Sequence, residues 1–333
     1  MRKGIRGKRG EKMAALFLCA FFMLLYPTDI MLCAREACEL FAKAVLPGLF
    51  PFLTVMLMAT SRMKSNSFFL MALMGIAAGS PAGARLSSFA VFSPKKYRAF
   101  ALVTSVMSPM FLLGTVPAWL NGHGLPIFIA STAGALMTAA FSLLFPAKKG
   151  EGDQSENSEL SFSEAVNRAA QTMLTVCGCM VMGSCAGMLI GKLLPNRPLL
   201  AGFIEVTKGI KDISQEKSAP ALAAMLVSFG GASLLIQNRA FYKKGALPVL
   251  EYLLFKTCHA VLGFLLAAAL GPLFPARARE TAVFEAVTEP FYPLLWGIAF
   301  LLSEIVLKWK EVMKRGQGNA AHKRSESRAG GRD

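Results

Sequence analysis

The stretch AVLGFLLAAALGPLF, residues 260–274, holds no charged residue and no alternation of apolar with polar positions. A strand of a membrane barrel would alternate over about 10 positions, whereas a helix crossing a hydrocarbon core about 30 Å thick needs about 20 apolar residues. In hydrocarbon the backbone is satisfied only within helices or closed barrels, so this stretch reads as helix. Working outward, the apolar residues elsewhere gather into runs of roughly 18 to 27, the same spanning length. Of the 333 residues 54% are hydrophobic and 17% charged, with a mean hydropathy of +0.48; an ordinary soluble domain carries about 25% charged residues. The expectation is an all-α, polytopic helical membrane protein.

Charge is distributed to match. The net charge is +16 and the pI about 9.7, but Lys and Arg sit almost entirely in the two tails and in short loops between apolar runs, the positive-inside pattern. A nucleic-acid surface would need them on one folded face with aromatic or polar readers between them, so no nucleic-acid partner is expected. Seven cysteines stand at 19, 33, 38, 177, 179, 185 and 258, most of them inside apolar runs with no His beside them. Cys177 and Cys179 point about 200° apart on a helix, which argues against shared metal ligation. No cofactor is expected, and no metal. No nucleophile elbow, zinc-protease helix, Walker loop or dinucleotide fingerprint is present, so the chain does not read as an enzyme.

Along the chain, Arg2 to Lys12 precede an apolar run from Met13 to Tyr26. No small-x-small site follows it, which favours an uncleaved first helix with a cytoplasmic N-terminus over a cleaved signal peptide. Residues 31–46 mix charged and apolar positions at helical spacing, as an interfacial helix would, and lead into a span near Val45 to Thr60 containing Pro47 and Pro51. Phe68 to Ala78 is too short to cross alone and stops at GSPAGAR, 79–85; Leu86 to Phe92 follows and ends at Lys95, Lys96 and Arg98. Basic flanks on both sides predict a re-entrant hairpin. Residues 99–120 form a span interrupted at Ser108-Pro109, and 125–146 form another. After the acidic linker the second half repeats this layout: a span near Thr172 to Leu194, a short charged segment over 198–213, a run over 219–238 with Gly230-Gly231 at its centre, and spans near 247–273 and 285–307. The division is a basic N-terminus with the first helix (1–30), a first repeat (31–147), a linker (148–161), a second repeat (162–309) and a basic tail (310–333). Eight full spans place both termini in the cytoplasm, with two non-crossing broken elements entering from opposite faces. Interrupted segments at matching places in two halves point to an inverted-repeat core and its site.

Non-helical backbone at membrane depth is tolerated only when buried in protein or lining a wet cavity. GSPAGAR and SPMFLLGT (108–115) therefore call for shared burial. A helix starting at Pro81 offers free N–H groups to a polar ligand, with Gly83 letting backbones approach; the alternative is a kink that only packs. Glu205 lies in the apolar stretch GFIEVT. A carboxylate at the bilayer centre costs about 2.5 to 3.5 kcal/mol on insertion scales and is commonly functional, the alternative being an interfacial Glu paired with Lys208 or Lys211. In SFGGASLLIQN (228–238) the Gly pair and Ser233 can open the helix, and Gln237 supplies a donor and an acceptor. Lys256 and His259, one turn apart, suit either proton transfer or, as favoured, a Lys snorkelling from near a helix end.

These residues resemble a known family. Gly79-Ser80-Pro81-Ala82-Gly83-Ala84, Ser108-Pro109-Met110-Phe111-Leu112-Leu113-Gly114-Thr115-Val116, Glu205-Val206-Thr207-Lys208-Gly209, and Phe229-Gly230-Gly231-Ala232-Ser233 with Gln237 follow, in order, the motifs of the YlbJ type of sporulation integral membrane protein, within the nucleoside-recognition or Gate domain group. The likeness runs along most of the chain. It departs where the family has a glycine between Ser108 and Pro109, a small or amide residue at Lys208, and an aromatic at Ser80. The resemblance implies a cell-membrane location in a spore-forming bacterium, a role in endospore development, and transport of a small, nucleoside-like polar solute. The ligand set expected is Glu205, Thr207, Gly209, Ser233 and Gln237 with Gly230 and Gly231, facing Ser80, Pro81, Gly83, Ser108, Pro109 and Thr115. The alternative is a non-transporting assembly or scaffold factor for the spore envelope, in which the same glycines serve packing and docking with itself or other membrane proteins.

Overall fold

A computed structural model describes residue 17 and residues 20–62, 67–150, 159–194, 198–216 and 218–274. The expected span at 285–307 and both basic tails lie outside these, and the expected span at 13–26 is described only in part. Among the described residues every regular element is a helix. Five are long and apolar enough to cross a bilayer: Pro27–Arg62, Gly124–Ser142, Phe162–Leu193, Ala219–Arg239 (interrupted at Gly230) and Val249–Leu273. Leu174, Leu250 and Leu265 turn their side chains outward, at 73%, 70% and 55% exposure. A water-soluble fold seldom leaves so much apolar surface uncovered.

The first long helix runs as α1 (Pro27–Leu40), a π turn (Phe41–Val45) and α2 (Leu46–Arg62). Residues 31–46 are therefore not a separate interfacial helix. At 1.5 Å per residue the whole element reaches about 54 Å, well beyond a hydrocarbon core. The π turn has a sequence cause. Pro47 lacks an N–H, and its ring would press on the carbonyl four residues back, Lys43, which lies inside the widened turn. The same geometry recurs later, where a π turn (Phe111–Thr115) precedes Pro117 and contains Leu113.

Next come α3 (Phe68–Ala78), α4 (Ala82–Leu86) and a 3₁₀ turn (Ser87–Phe89). The hairpin is tight because Gly75 and Gly83 face each other: a Cβ on Gly83 would lie 2.7 Å from the Gly75 carbonyl oxygen. The segment read as a span over 99–120 is two pieces, α5 (Pro94–Val103) and, beyond a non-helical stretch and the π turn, α6 (Val116–Trp119). Then follow α7 (Gly124–Ser142), α8 (Phe162–Leu193), α9 (Pro198–Ile204), α10 (Val206–Ile213), α11 (Ala219–Phe229), α12 (Gly231–Arg239) and α13 (Val249–Leu270). α8 opens with a full capping box: the Glu164 amide donates to Ser161 Oγ at 3.3 Å, and the Ser161 amide to Glu164 Oε2 at 2.8 Å.

Two contacts set the frame around the site. α7, α11 and α13 pack through small residues, since Gly263 leaves room for Ser228 and Gly134 for His259. Arg98, expected among the cytoplasmic basic flank, is buried instead. Its guanidinium donates to the carbonyls of Ser142, Phe145 (2.9 Å) and Pro146 (2.7 Å) at the end of α7 and pairs with Glu251 on α13. Counting charges along a chain locates a basic run but not which member folds inward to satisfy a helix C-terminus.

Candidate functional site: four chain breaks around one cavity

The four interruptions meet in pairs. Gly79 ends α3 at φ 67°, a left-handed conformation, and lies so close to the opposite chain that a Cβ would stand 2.1 Å from Ser108 Cα. Only glycine fits that crossing. The Ser80 amide then donates to the Val106 carbonyl at 2.6 Å, and Ser80 and Met107 form an isolated parallel bridge. Each open backbone thus satisfies part of the other, as buried non-helical chain must.

In the second pair the chain opens at Glu205, which leaves α9 and caps α10 at φ −134°, ψ 111°. Its carboxylate oxygen Oε2 accepts from the Lys208 amide at 2.8 Å and from the Thr207 hydroxyl. An anionic acceptor at a helix start compensates free N–H groups and the positive end of the helix dipole. Gly230 (φ 90°) and Gly231 (φ 68°) separate α11 from α12, and a Cβ on Gly231 would lie 3.1 Å from the Ile204 carbonyl oxygen and 3.2 Å from the Val206 nitrogen. The glycine break therefore rests directly on the Glu205 break.

Both pairs face one cavity of about 60 Å³, roomy enough for water or a small polar group. Its polar lining is Ser80, Ser108, Glu205, Thr207, Ser233 and Gln237, with Pro81 beside them; its apolar wall includes Val45, Leu49, Phe111, Val176 and Met180. Both π turns contribute, through Ala44 and Val45 and through Phe111. Glu205 and Gln237 are each 2% exposed. The Gln237 amide nitrogen reaches the Val176 carbonyl at 3.5 Å, while its oxygen has no partner among the described residues. A buried amide oxygen left open costs about 1–3 kcal/mol unless something fills it. The site is acceptor-rich and suits a ligand bearing N–H or O–H donors on an otherwise apolar frame.

Seven of the expected site residues, Ser80, Pro81, Ser108, Glu205, Thr207, Ser233 and Gln237, line this cavity. Six do not. Gly83 packs on Gly75 and Thr104, Gly209 on Gly202, and Gly230 and Gly231 shape the crossing from behind. Pro109 is buried behind Ser108, and Thr115 closes the second π turn. Glu205 does not pair with Lys208 or Lys211: Lys208 Nζ turns to Asp212 at 3.5 Å and Lys211 Nζ lies 5.2 Å from the Trp119 ring centroid. The snorkelling reading of Lys256 is also corrected. Lys256 and His259 are each 1% exposed and face the interior of the α7, α11 and α13 cluster.

Three further residues were not singled out in the sequence. Gly183 on α8 faces the site, where a Cβ would lie 2.8 Å from Ser233 Cβ and 3.3 Å from Glu205 Cγ; its signal is the spacing Gly183-Ser184-Cys185-Ala186-Gly187, a small-residue motif for close helix approach. Asn238 accepts from the Ser80 hydroxyl and donates to the Tyr252 hydroxyl at 3.2 Å. No sequence motif connects Asn238 or Tyr252 to Ser80. Comparison with known protein families, with curated proteins and with solved structures gives no match for this chain.

Proposed function

We propose that the protein is a multi-pass membrane protein that binds a small polar solute between its four chain breaks and carries it across the bilayer. The observation that supports this most is the convergence of both pairs of breaks on one cavity lined by a carboxylate, four hydroxyls from Ser80, Ser108, Thr207 and Ser233, and an open amide oxygen. Broken helices that place polar groups together at depth are how secondary transporters build their sites. Eight spans, two inverted repeats with the breaks entering from opposite faces, and cytoplasmic termini complete the reading. Its resemblance to the YlbJ type adds a spore-forming bacterial membrane, a part in endospore development and a nucleoside-like solute.

Glu205→Gln tests it. The amide keeps an acceptor for the Lys208 N–H but removes the negative charge, so membrane abundance should hold while solute flux and solute-dependent thermal stabilisation are lost. Unchanged flux sinks the assignment. A scaffold role is the second reading, favoured by the glycine-to-glycine packing of Gly75 on Gly83 and Gly202 on Gly209. It predicts tolerance of Glu205→Gln and failure when Gly230 or Gly231 is enlarged. Cysteines introduced at Lys95 and at Asp212, labelled from each side of the membrane, test the opposed hairpins; labelling of both from one side refutes the inverted arrangement.

A further inference from the structure

α13 carries a second polar cluster that the solute site does not use. Lys256 Nζ lies 3.2 Å from His259 Nδ1, 3.3 Å from Ser105 Oγ and 3.4 Å from the Ser105 carbonyl oxygen. His259 Nε2 lies 2.7 Å from the Ser131 carbonyl oxygen. A carbonyl only accepts, so Nε2 carries the hydrogen and Nδ1 is the bare acceptor facing the amine.

Among the described residues the surroundings offer this amine no counter-ion. α7 and α11, the helices packed most closely on α13, hold no titratable side chain in Gly124–Ser142 or Ala219–Phe229. Neither does the stretch Thr104 to Met110 that supplies Ser105. On α13 the nearest carboxylate, Glu251, is taken by Arg98 from α5; Cys258 and Tyr252 are the other titratable neighbours. Across from them, Tyr242 lies with its ring 5.8 Å from that of Tyr252, and its hydroxyl donates to the Ala101 carbonyl at 3.1 Å. Arg239 is turned to the Leu247 carbonyl at 2.9 Å, and Tyr97 accepts from the Lys243 amide at 2.8 Å.

The cluster is joined to the solute cavity. Ser105 lies beside the Tyr252 hydroxyl, Tyr252 accepts from Asn238, and Asn238 accepts from Ser80, which lines the cavity.

We infer that Lys256 and His259 form a binding site for one proton, coupled to the cavity through Ser105, Tyr252, Asn238 and Ser80. In the proton-free state a neutral amine donates one hydrogen to Nδ1. Uptake of one proton from water converts Nζ to the ammonium, with Nδ1 and both Ser105 oxygens as its three acceptors. A second proton would put two cations in contact in a low-dielectric interior, so the pair takes one and not two. Charging α13 at this point repolarises the chain of polar groups ending at Ser80, which links proton binding to the shape of the solute site. This rests on the reading of the chain as a membrane-embedded solute carrier.

The test is an NMR titration of the full-length protein in lipid nanodiscs with ¹³C-labelled histidine. The chain has three histidines, so His123→Gln with His322→Gln leaves His259 as the sole reporter. Between about pH 9 and about pH 5 the imidazole should show one transition, accompanied by uptake of one proton. Lys256→Met should abolish that transition, and Asn238→Leu should move its midpoint by about half a pH unit or more. Absence of a transition in the wild-type pair, or an unchanged one in Lys256→Met, overturns the site; an unmoved midpoint in Asn238→Leu overturns the coupling. No solute is needed, so Glu205→Gln separates the two readings: it should keep the transition while losing solute binding.

Discussion

The two pairs of breaks solve one problem with different means. Where Gly79–Pro81 crosses Val106–Ser108, the open chains satisfy each other through a backbone hydrogen bond and a one-residue bridge. Where Glu205 meets Gly230–Gly231, the cap is a side chain: the carboxylate takes the Lys208 amide and the Thr207 hydroxyl. The first crossing spends its polar groups on the backbone and gives the cavity only two hydroxyls. The second, held by a side chain and by glycine contact, leaves Thr207, Ser233 and Gln237 directed at the same space. One pair therefore serves mainly as frame and the other as chemistry.

That contrast can be broken most forcibly at its frame. Gly79→Val combines a left-handed φ with overlap on Ser108 backbone atoms and should destabilise by more than about 4 kcal/mol, seen as loss of folded protein in membranes by limited proteolysis. Gly183→Leu should be milder for folding yet fatal to binding, since its side chain would enter the space of Ser233 and Glu205; the check is loss of solute-dependent stabilisation in protein that still reaches the membrane. Glu205→Ala removes the α10 cap and should cost about 1–2 kcal/mol, where Glu205→Gln, retaining an acceptor, should cost less; comparing their melting temperatures separates capping from charge. Smallest of all, Ser80→Ala removes one hydroxyl from Asn238 and should cost about 1 kcal/mol, without disturbing the Ser80 amide bond to Val106.

The sequence made the interruptions legible and left their meeting hidden. Phe68–Ala78 was too short to cross and was followed by Gly79 and Pro81, and Gly230-Gly231 sat in mid-run, so helix stops there could be read from composition. Which stop touches which depends on packing between segments more than 20 residues apart in chain order, and no local pattern carries that. The π turns were missed because Pro47 and Pro117 announce a disturbed helix without saying whether it kinks, ends or widens. Lys256 was misplaced for a related reason. Hydropathy estimates depth along a helix, whereas the environment of a side chain also depends on which face it occupies, and the face of Lys256 looks inward at Ser105 and His259. Arg98 was misread in the same way.

The central claim is that all four breaks border one water-accessible cavity. Single cysteines at Ser80, Ser108, Thr207 and Ser233, in a background without the native cysteines, test it directly with a small water-soluble thiol reagent on intact membranes. All four should react, while cysteines at Thr104 and Ala224, buried in the frame, should stay inert. Labelling confined to Ser80 and Ser108, or to Thr207 and Ser233, would mean two separate crossings and would contradict the account.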